Sequence, residues 1–170
     1  MPFQATEAFD SVSHHVESFA CGNAALDRWL RAYAGQSQRR DAARTFVTAD
    51  ARGNVLGYYT LVAAEVRHDA ASARVRKGMS PHFPIPVALL ARLAVDRRRH
   101  GEGLGAALLL DALRRVIRAS DEVAVRAVTV DPIDERAASF HSHFGFERSP
   151  LSESTLMVPV ETVRRVLEKQ

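Results

Sequence analysis

The chain has one cysteine in 170 residues, so no internal disulfide can form and a disulfide scaffold is excluded. Long apolar runs are also missing. Residues 87–91 and 104–110 fall well short of the about 20 residues that span a bilayer. The opening Met1-Pro2-Phe3-Gln4 lacks the apolar stretch of a secretory leader, and Glu7 and Asp10 come soon after it, so the expectation is a cytoplasmic protein with no membrane segment. No repeat, heptad pattern or linker divides the sequence. Neither sign of charge dominates, with 23 Lys and Arg against 20 Asp and Glu. Against these absences stands a 46% hydrophobic share, enough to exclude intrinsic disorder, in a length that suits one domain over residues 1–170.

The basic residues are clustered although their sum is small. Arg39-Arg40-Arg44, Arg74-Arg76-Lys77, Arg97-Arg98-Arg99 and Arg114-Arg115-Arg118 are each either a solvated face or a contact for a phosphate-rich partner.

Asn23 is placed to cap a helix whose Leu26, Trp29, Leu30 and Tyr33 share one face, with Asp27, Arg28 and Arg31 opposite and Gly35 as a weak point. Residues 45–48 and 55–66 read as an antiparallel pair of strands joined by a turn at 50–54. The stretch 67–86, broken by Pro81, Pro84 and Pro86, reads as a long loop, either functional or mobile. Beyond it the pattern predicts a strand over 87–95 carrying Arg92 and a helix over 104–120, with Asp111, Arg114, Arg115 and Arg118 on its polar stripe. A strand over 123–130, a helix over 134–144, a strand over 155–158 and a charged helix over 160–170 complete the reading. The fold class is therefore α+β, a mixed α/β arrangement with helices against a central sheet.

The most informative segment is the turn between the strand at 87–95 and the helix at 104–120. Gly101, Gly103 and Gly105 sit where a buried strand hands over to a helix N-terminus, and Arg97, Arg98 and Arg99 precede them. Amides at a helix start have no internal acceptor and the helix dipole favours anions there, while glycines let a phosphate approach the main chain. A P-loop is excluded because Gly105 is followed by Ala106 and Ala107 instead of Lys and Ser or Thr. A dinucleotide fingerprint is excluded too, since the spacing is wrong and the turn comes late. His141 and His143, two apart on a helix, face different ways, and no metal site is expected. Cys21 reads as a small packed residue, because no His–acid pair is signalled beside it.

The segment His100-Gly101-Glu102-Gly103-Leu104-Gly105 resembles the acetyl-CoA loop of the GNAT acetyltransferases. Residues Asp134-Glu135-Arg136-Ala137 through Phe140-His141-Ser142-His143-Phe144-Gly145-Phe146 are similar to that family's second signature helix. Phe19-Ala20-Cys21-Gly22-Asn23, Gly57-Tyr58-Tyr59-Thr60-Leu61 and Arg92-Leu93-Ala94-Val95-Asp96 tighten the resemblance to the tRNA-acetylating toxins of type II toxin–antitoxin systems. The resemblance implies a mostly antiparallel sheet splayed at its middle strands, helices on both faces, and acetyl-CoA as donor. It implies that Leu93, Ala94 and Val95 serve the thioester and pantetheine, and that His100, Gly101, Glu102, Gly103, Leu104, Gly105 and Ala106 hold the pyrophosphate, with Asp134 and Phe140 also in the cofactor site. It implies an aminoacyl-tRNA α-amine as acceptor; the chain's basic residues fit a phosphate-backbone track for such a partner, with Arg39, Arg40, Arg44 and Arg92 as candidate tRNA contacts. A cognate antitoxin and a homodimer are implied on the same ground.

Acetyl transfer from a thioester needs alignment, a stabilised oxyanion, a neutral amine and a proton for the leaving thiolate. No Asp or Glu lies within 87–95, and Asp96 reads as structural, so water or an already neutral amine takes the place of a base. The family acid is a Tyr, and the matching residue here is His141, whose ordinary pKa of about 6.5 leaves it mostly neutral at pH 7.5. Three readings stay open at His141: a general acid, a weakened enzyme, or a CoA-binding regulatory protein without useful turnover. A small-molecule or protein amine remains an alternative acceptor.

Overall fold

The computed structural model describes residues 3–170; Met1 and Pro2, with which the reading of the N-terminus begins, lie outside them. The chain divides into two compact units, one of 1–62 with 91–112 and one of 63–90 with 113–170. Among the described residues the strands form a sheet of seven, in the spatial order 7–8, 44–49, 55–66, 85–95, 127–130, 156–159 and 147–148.

The first unit contains β1 (Glu7–Ala8), α1 (Ala24–Ala32), α2 (Ala34–Arg39), β2 (Arg44–Ala49), most of β3 (Val55–Val66), the end of β4 (Ile85–Val95) and the start of α4 (Leu104–Ala119). Asn23 caps α1 as its sequence position predicts, its side chain accepting from the Ala25 and Leu26 N–H groups. The helix breaks at Tyr33, two residues ahead of Gly35, which lies inside α2. Asp27 is not on a solvated face: it is buried and accepts the Cys21 N–H at 2.9 Å. The β2–β3 hairpin is antiparallel, and Asp50 organises its turn by accepting from the Arg52 and Asn54 N–H groups. Phe9, Phe19, Leu30, Val47, Val55, Tyr58 and Ala94 form the core of this unit, with Leu26 and Trp29 at its edge.

The second unit holds α3 (Ala73–Arg76), β5 (Ala127–Val130), α5 (Glu135–His143), β6 (Glu147–Arg148), β7 (Leu156–Pro159) and α6 (Val160–Glu168), with the remaining parts of β3, β4 and α4. Its core joins Ala71, Val75, Ile85, Val87, Ala127 and Met157. The region expected to be loop contains a 3-10 turn over His68–Ala70 and the short α3, capped by Ser72 and anchored by the fully buried Val75. Strand β5 begins at Ala127, four residues later than predicted, and Val123 is exposed. Arg126 explains the late start. Its guanidinium donates to the carbonyls of Arg74, Val75 and Lys77 at the end of α3, where a cation is favoured. The β4–β5 ladder is parallel and ends at Leu90 opposite Val130, whereas β5–β7 and β6–β7 are antiparallel.

Candidate functional site

In the first unit, β4 ends at Val95 and Asp96 shapes the turn into α4. Its carboxylate, 1% exposed, accepts from the Ala20 and Arg98 N–H groups and from the Arg98 side chain at 2.9 and 3.0 Å. Burial raises its pKa, but the hydrogen bonds from Arg98 and Ala20 outweigh that effect and hold the carboxyl below its ordinary value. The Arg97 N–H donates back to Ala20 O at 2.9 Å, so the segment before α1 and the turn after β4 are tied in both directions.

Gly101 (φ +81°) and Gly103 (φ +84°) adopt left-handed conformations that other residues rarely take, and no atom lies within 4 Å of where a side chain would begin on either. α4 starts at Leu104 immediately after them, with Gly105 and Ala106 in its first turn. The result is an open cradle of main-chain amides at the positive end of a 16-residue helix, which fits a pyrophosphate. His100 is exposed, and its Nε2 donates to Val95 O at 2.8 Å, so its side chain closes the turn. Arg98 is committed to Asp96, and Arg99 lies 3.6 Å from Glu102. Arg97 lies alongside Gly22.

Arg92 lies on β4, just before Leu93, Ala94 and Val95, with its guanidinium carbon 4.0 Å above the centre of the Trp29 ring. Trp29 stacks on Tyr58 in turn, with centroids 6.1 Å apart and planes 10° from parallel. Among the other candidate cations, Arg44 is paired with Asp41 at 2.6 Å and donates to Gln38 O, while Arg39 and Arg40 are exposed at the end of α2. Thus Arg39, Arg40 and Arg44 share the α2–β2 corner and Arg92 stands apart on the strand. The Trp29–Arg92 pairing is not legible in the sequence, where helical spacing only puts Trp29 on one face with Leu26, Leu30 and Tyr33; the fold brings the two together.

In the second unit, Asp134 spends its side chain as the cap of α5, accepting the Ala137 N–H at 2.8 Å. His141 is 4% exposed and lies edge-on to Phe140 at 5.1 Å and Phe146 at 5.3 Å. Burial pushes its pKa down to about 4, and its Nδ1 has no hydrogen-bond partner. The imidazolium that a general acid would need is therefore absent at neutral pH. His143 is exposed while His141 is buried, and among the described residues no group of three or more His, Cys, Asp or Glu is placed to hold a metal ion. In the first unit again, burial first and the Asp27 hydrogen bond second raise the Cys21 thiol to about 11, far from nucleophilic.

Comparison with known proteins bears on this geometry. Residues 12–146 match the model of the acetyltransferase (GNAT) family. The chain is 40% identical over 152 residues to a tRNA-acetylating toxin of Mycobacterium tuberculosis (strain ATCC 25618 / H37Rv), covering 89% of this chain and 90% of the relative. Among solved structures, AtaT complexed with acetyl-methionyl-tRNAfMet is similar at a TM-score of 0.87 and 27% identity, covering 95% of this chain and 98% of the other. A mutant AtaT toxin bound to the C-terminus of the antitoxin AtaR and acetyl-CoA is similar at a TM-score of 0.81 and 27% identity, covering 98% of both chains.

Proposed function

The chain belongs to the acetyltransferase (GNAT) family, and from that premise we propose that it transfers acetyl from acetyl-CoA to the α-amine of an aminoacyl-tRNA, acting as a toxin that blocks translation. The observation that carries the donor half of this reading is the open amide cradle at Gly101 and Gly103 on the N-terminus of α4. The acceptor half is supported by the 40% identical tRNA-acetylating toxin.

Acetyl-CoA supplies an already activated thioester, so the chain's own residues need only bind, orient and manage protons. The main chain of Gly101, Gly103 and the first turn of α4 would hold the pyrophosphate, and Asp96 with Arg98 sets the shape of that turn. The main chain of Leu93, Ala94 and Val95 would align the thioester carbonyl. The strand offers no carboxylate base, and an α-amine, with an unperturbed pKa of about 7.7–8.0, is sufficiently deprotonated near neutrality to attack without one. His141 takes the place of the family's acid as a neutral imidazole. It can donate a hydrogen bond to the leaving sulfur; as the C–N bond forms and the C–S bond breaks, water takes the proton that the attacking nitrogen loses and returns one to the thiolate to complete the thiol. Asp134 and Phe140 shape α5 around it.

Residues 1–170 act as one catalytic domain in this reading. An antitoxin partner is supported by the complex of the AtaT mutant with the AtaR C-terminus. A homodimer in the cytoplasm rests on the resemblance alone; among the described residues no helix is long and apolar enough to cross a membrane.

The test is transfer of labelled acetyl to aminoacyl-tRNA by the native chain and by His141→Tyr and His141→Phe. The native chain is expected to acetylate the amine, His141→Tyr to exceed it, and His141→Phe to fall below it. An inert native chain beside an active His141→Tyr would instead favour a CoA-binding protein that has lost turnover.

A further inference from the structure

Arg92 is a half-buried cation of the first unit for which, among the described residues, no anion is placed, whereas the other unpaired arginines there, such as Arg39, Arg40 and Arg97, are exposed. Arg98 is clasped by Asp96, Arg44 by Asp41, and Arg31 donates to Phe19 O. Arg92 is half-buried, and among the described residues no carboxylate pairs with it. Burial lowers its pKa, which records the cost of removing its charge from water, yet a guanidinium remains charged at any working pH. A desolvated cation of this kind is destabilising unless something offsets it. The Trp29 face supplies part of that offset, since guanidinium and indole attract through the ring quadrupole.

The platform is fixed in place. Trp29 lies nearly parallel to Tyr58, the Tyr58 hydroxyl donates to Leu26 O at 2.7 Å, and Phe19 meets Tyr58 edge-on. A stacked guanidinium has its rotation restricted and presents its N–H fork in one plane, the arrangement that suits two oxygens of a phosphate. The donor's pyrophosphate belongs to the turn beyond Val95. At about 3.3 Å per strand residue, Arg92 is about 10 Å back along β4 from that end, so its anion is a different one.

We propose that Arg92, laid on Trp29, is the receptor for the phosphodiester next to the aminoacylated end of the acceptor. The enzyme thereby selects amines carried on a nucleotide chain over the same amines carried on a lone nucleoside. This inference rests on the aminoacyl-tRNA reading and adds a specificity-determining residue to it.

The test uses acceptors with one shared aminoacyl ester: aminoacyl-adenosine, which has no phosphate, aminoacylated cytidylyl-adenosine, which has one phosphodiester at the end in question, and aminoacyl-tRNA. The native chain should favour the dinucleotide over the nucleoside by about tenfold to a hundredfold in kcat/KM, the range of a charge-assisted contact. Arg92→Gln should bring that ratio close to one. Arg92→Lys, which keeps the charge but not the fork, should retain part of it. Acetyl-CoA binding by each variant reports that the fold is intact. A ratio that survives Arg92→Gln, or a native ratio near one, overturns the assignment of Arg92. A native chain that acetylates none of the three acceptors overturns the aminoacyl-tRNA reading itself, so the two failures are distinct.

Discussion

An imidazole in an apolar enclosure loses its charge before it loses its place. His141 has its pKa pushed from 6.5 to about 4 by burial, so between those values the unfolded chain takes up a proton that the folded chain refuses. Stability linked to this residue is fully present above about pH 6.5 and is lost as pH falls toward 4. His141→Phe should remove that dependence, which amounts to at most about 3 kcal/mol by the conversion of pKa shift to free energy. Urea unfolding of both proteins at pH 7.5 and 4.5 checks it; equal pH slopes would show that His141 is not shielded as described. The same neutrality bears on catalysis. The rate should climb with pH as the acceptor amine deprotonates and then level off, with no fall between pH 7 and 9, because no imidazolium is present there to be lost. The identity of His141 at the acid's position was legible in the sequence. Its burial against Phe140 and Phe146 was not, because an isolated helix pattern does not say which partners close around a side chain.

At the scale of elements, the turn from β4 into α4 is the proposed cradle for the acetyl-CoA pyrophosphate, and its glycines made it readable. Gly103→Ala should weaken acetyl-CoA binding for two reasons. A left-handed backbone disfavours a side chain by roughly 1–2 kcal/mol, and the added methyl enters the space left for the anion. Titration calorimetry should show about tenfold or greater loss of affinity, and unchanged affinity would place the pyrophosphate elsewhere. Asp96→Asn keeps the shape but removes the charge that clasps Arg98, so KM for acetyl-CoA should rise more than kcat falls. The sequence signalled the Asn23 cap and the strand-to-helix turn because their causes are local. It did not signal the break at Tyr33, the four-residue α3, or the two-residue strands β1 and β6, which are held by contacts from distant parts of the chain. Strand β5 was read too long for the same reason: Val123 looks like strand until Arg126 is seen to serve the end of α3.

For the molecule as a whole, a net charge of +3 conceals how the positive charge is used. Arg44 is neutralised locally by Asp41 and Arg98 by Asp96, whereas Arg39 and Arg40 are exposed at the end of α2. Binding of a nucleic-acid acceptor should therefore weaken with salt, since each phosphate contact releases counterions. The double variant Arg39→Gln, Arg40→Gln should flatten the slope of log affinity against log salt by about 1.5, at roughly 0.7–0.9 for each phosphate neutralised. Arg44→Gln should change it much less. Equal effects at the three positions would mean that the Arg44–Asp41 pair does not survive binding. The clusters were visible in the sequence, but which members are ion-paired was not, because pairing depends on the neighbours that folding supplies.

All of this turns on whether the chain acetylates the amine of an aminoacyl-tRNA without a charged acid at His141. The decisive experiment is acetyl transfer from acetyl-CoA to a pool of aminoacyl-tRNA, read between pH 6 and 9 for the native chain beside His141→Tyr. Acetylated α-amine is expected from both, with a faster rate for Tyr and a native rate that rises and then levels with pH. A native chain that binds acetyl-CoA and leaves aminoacyl-tRNA unmodified at every pH would contradict the assignment.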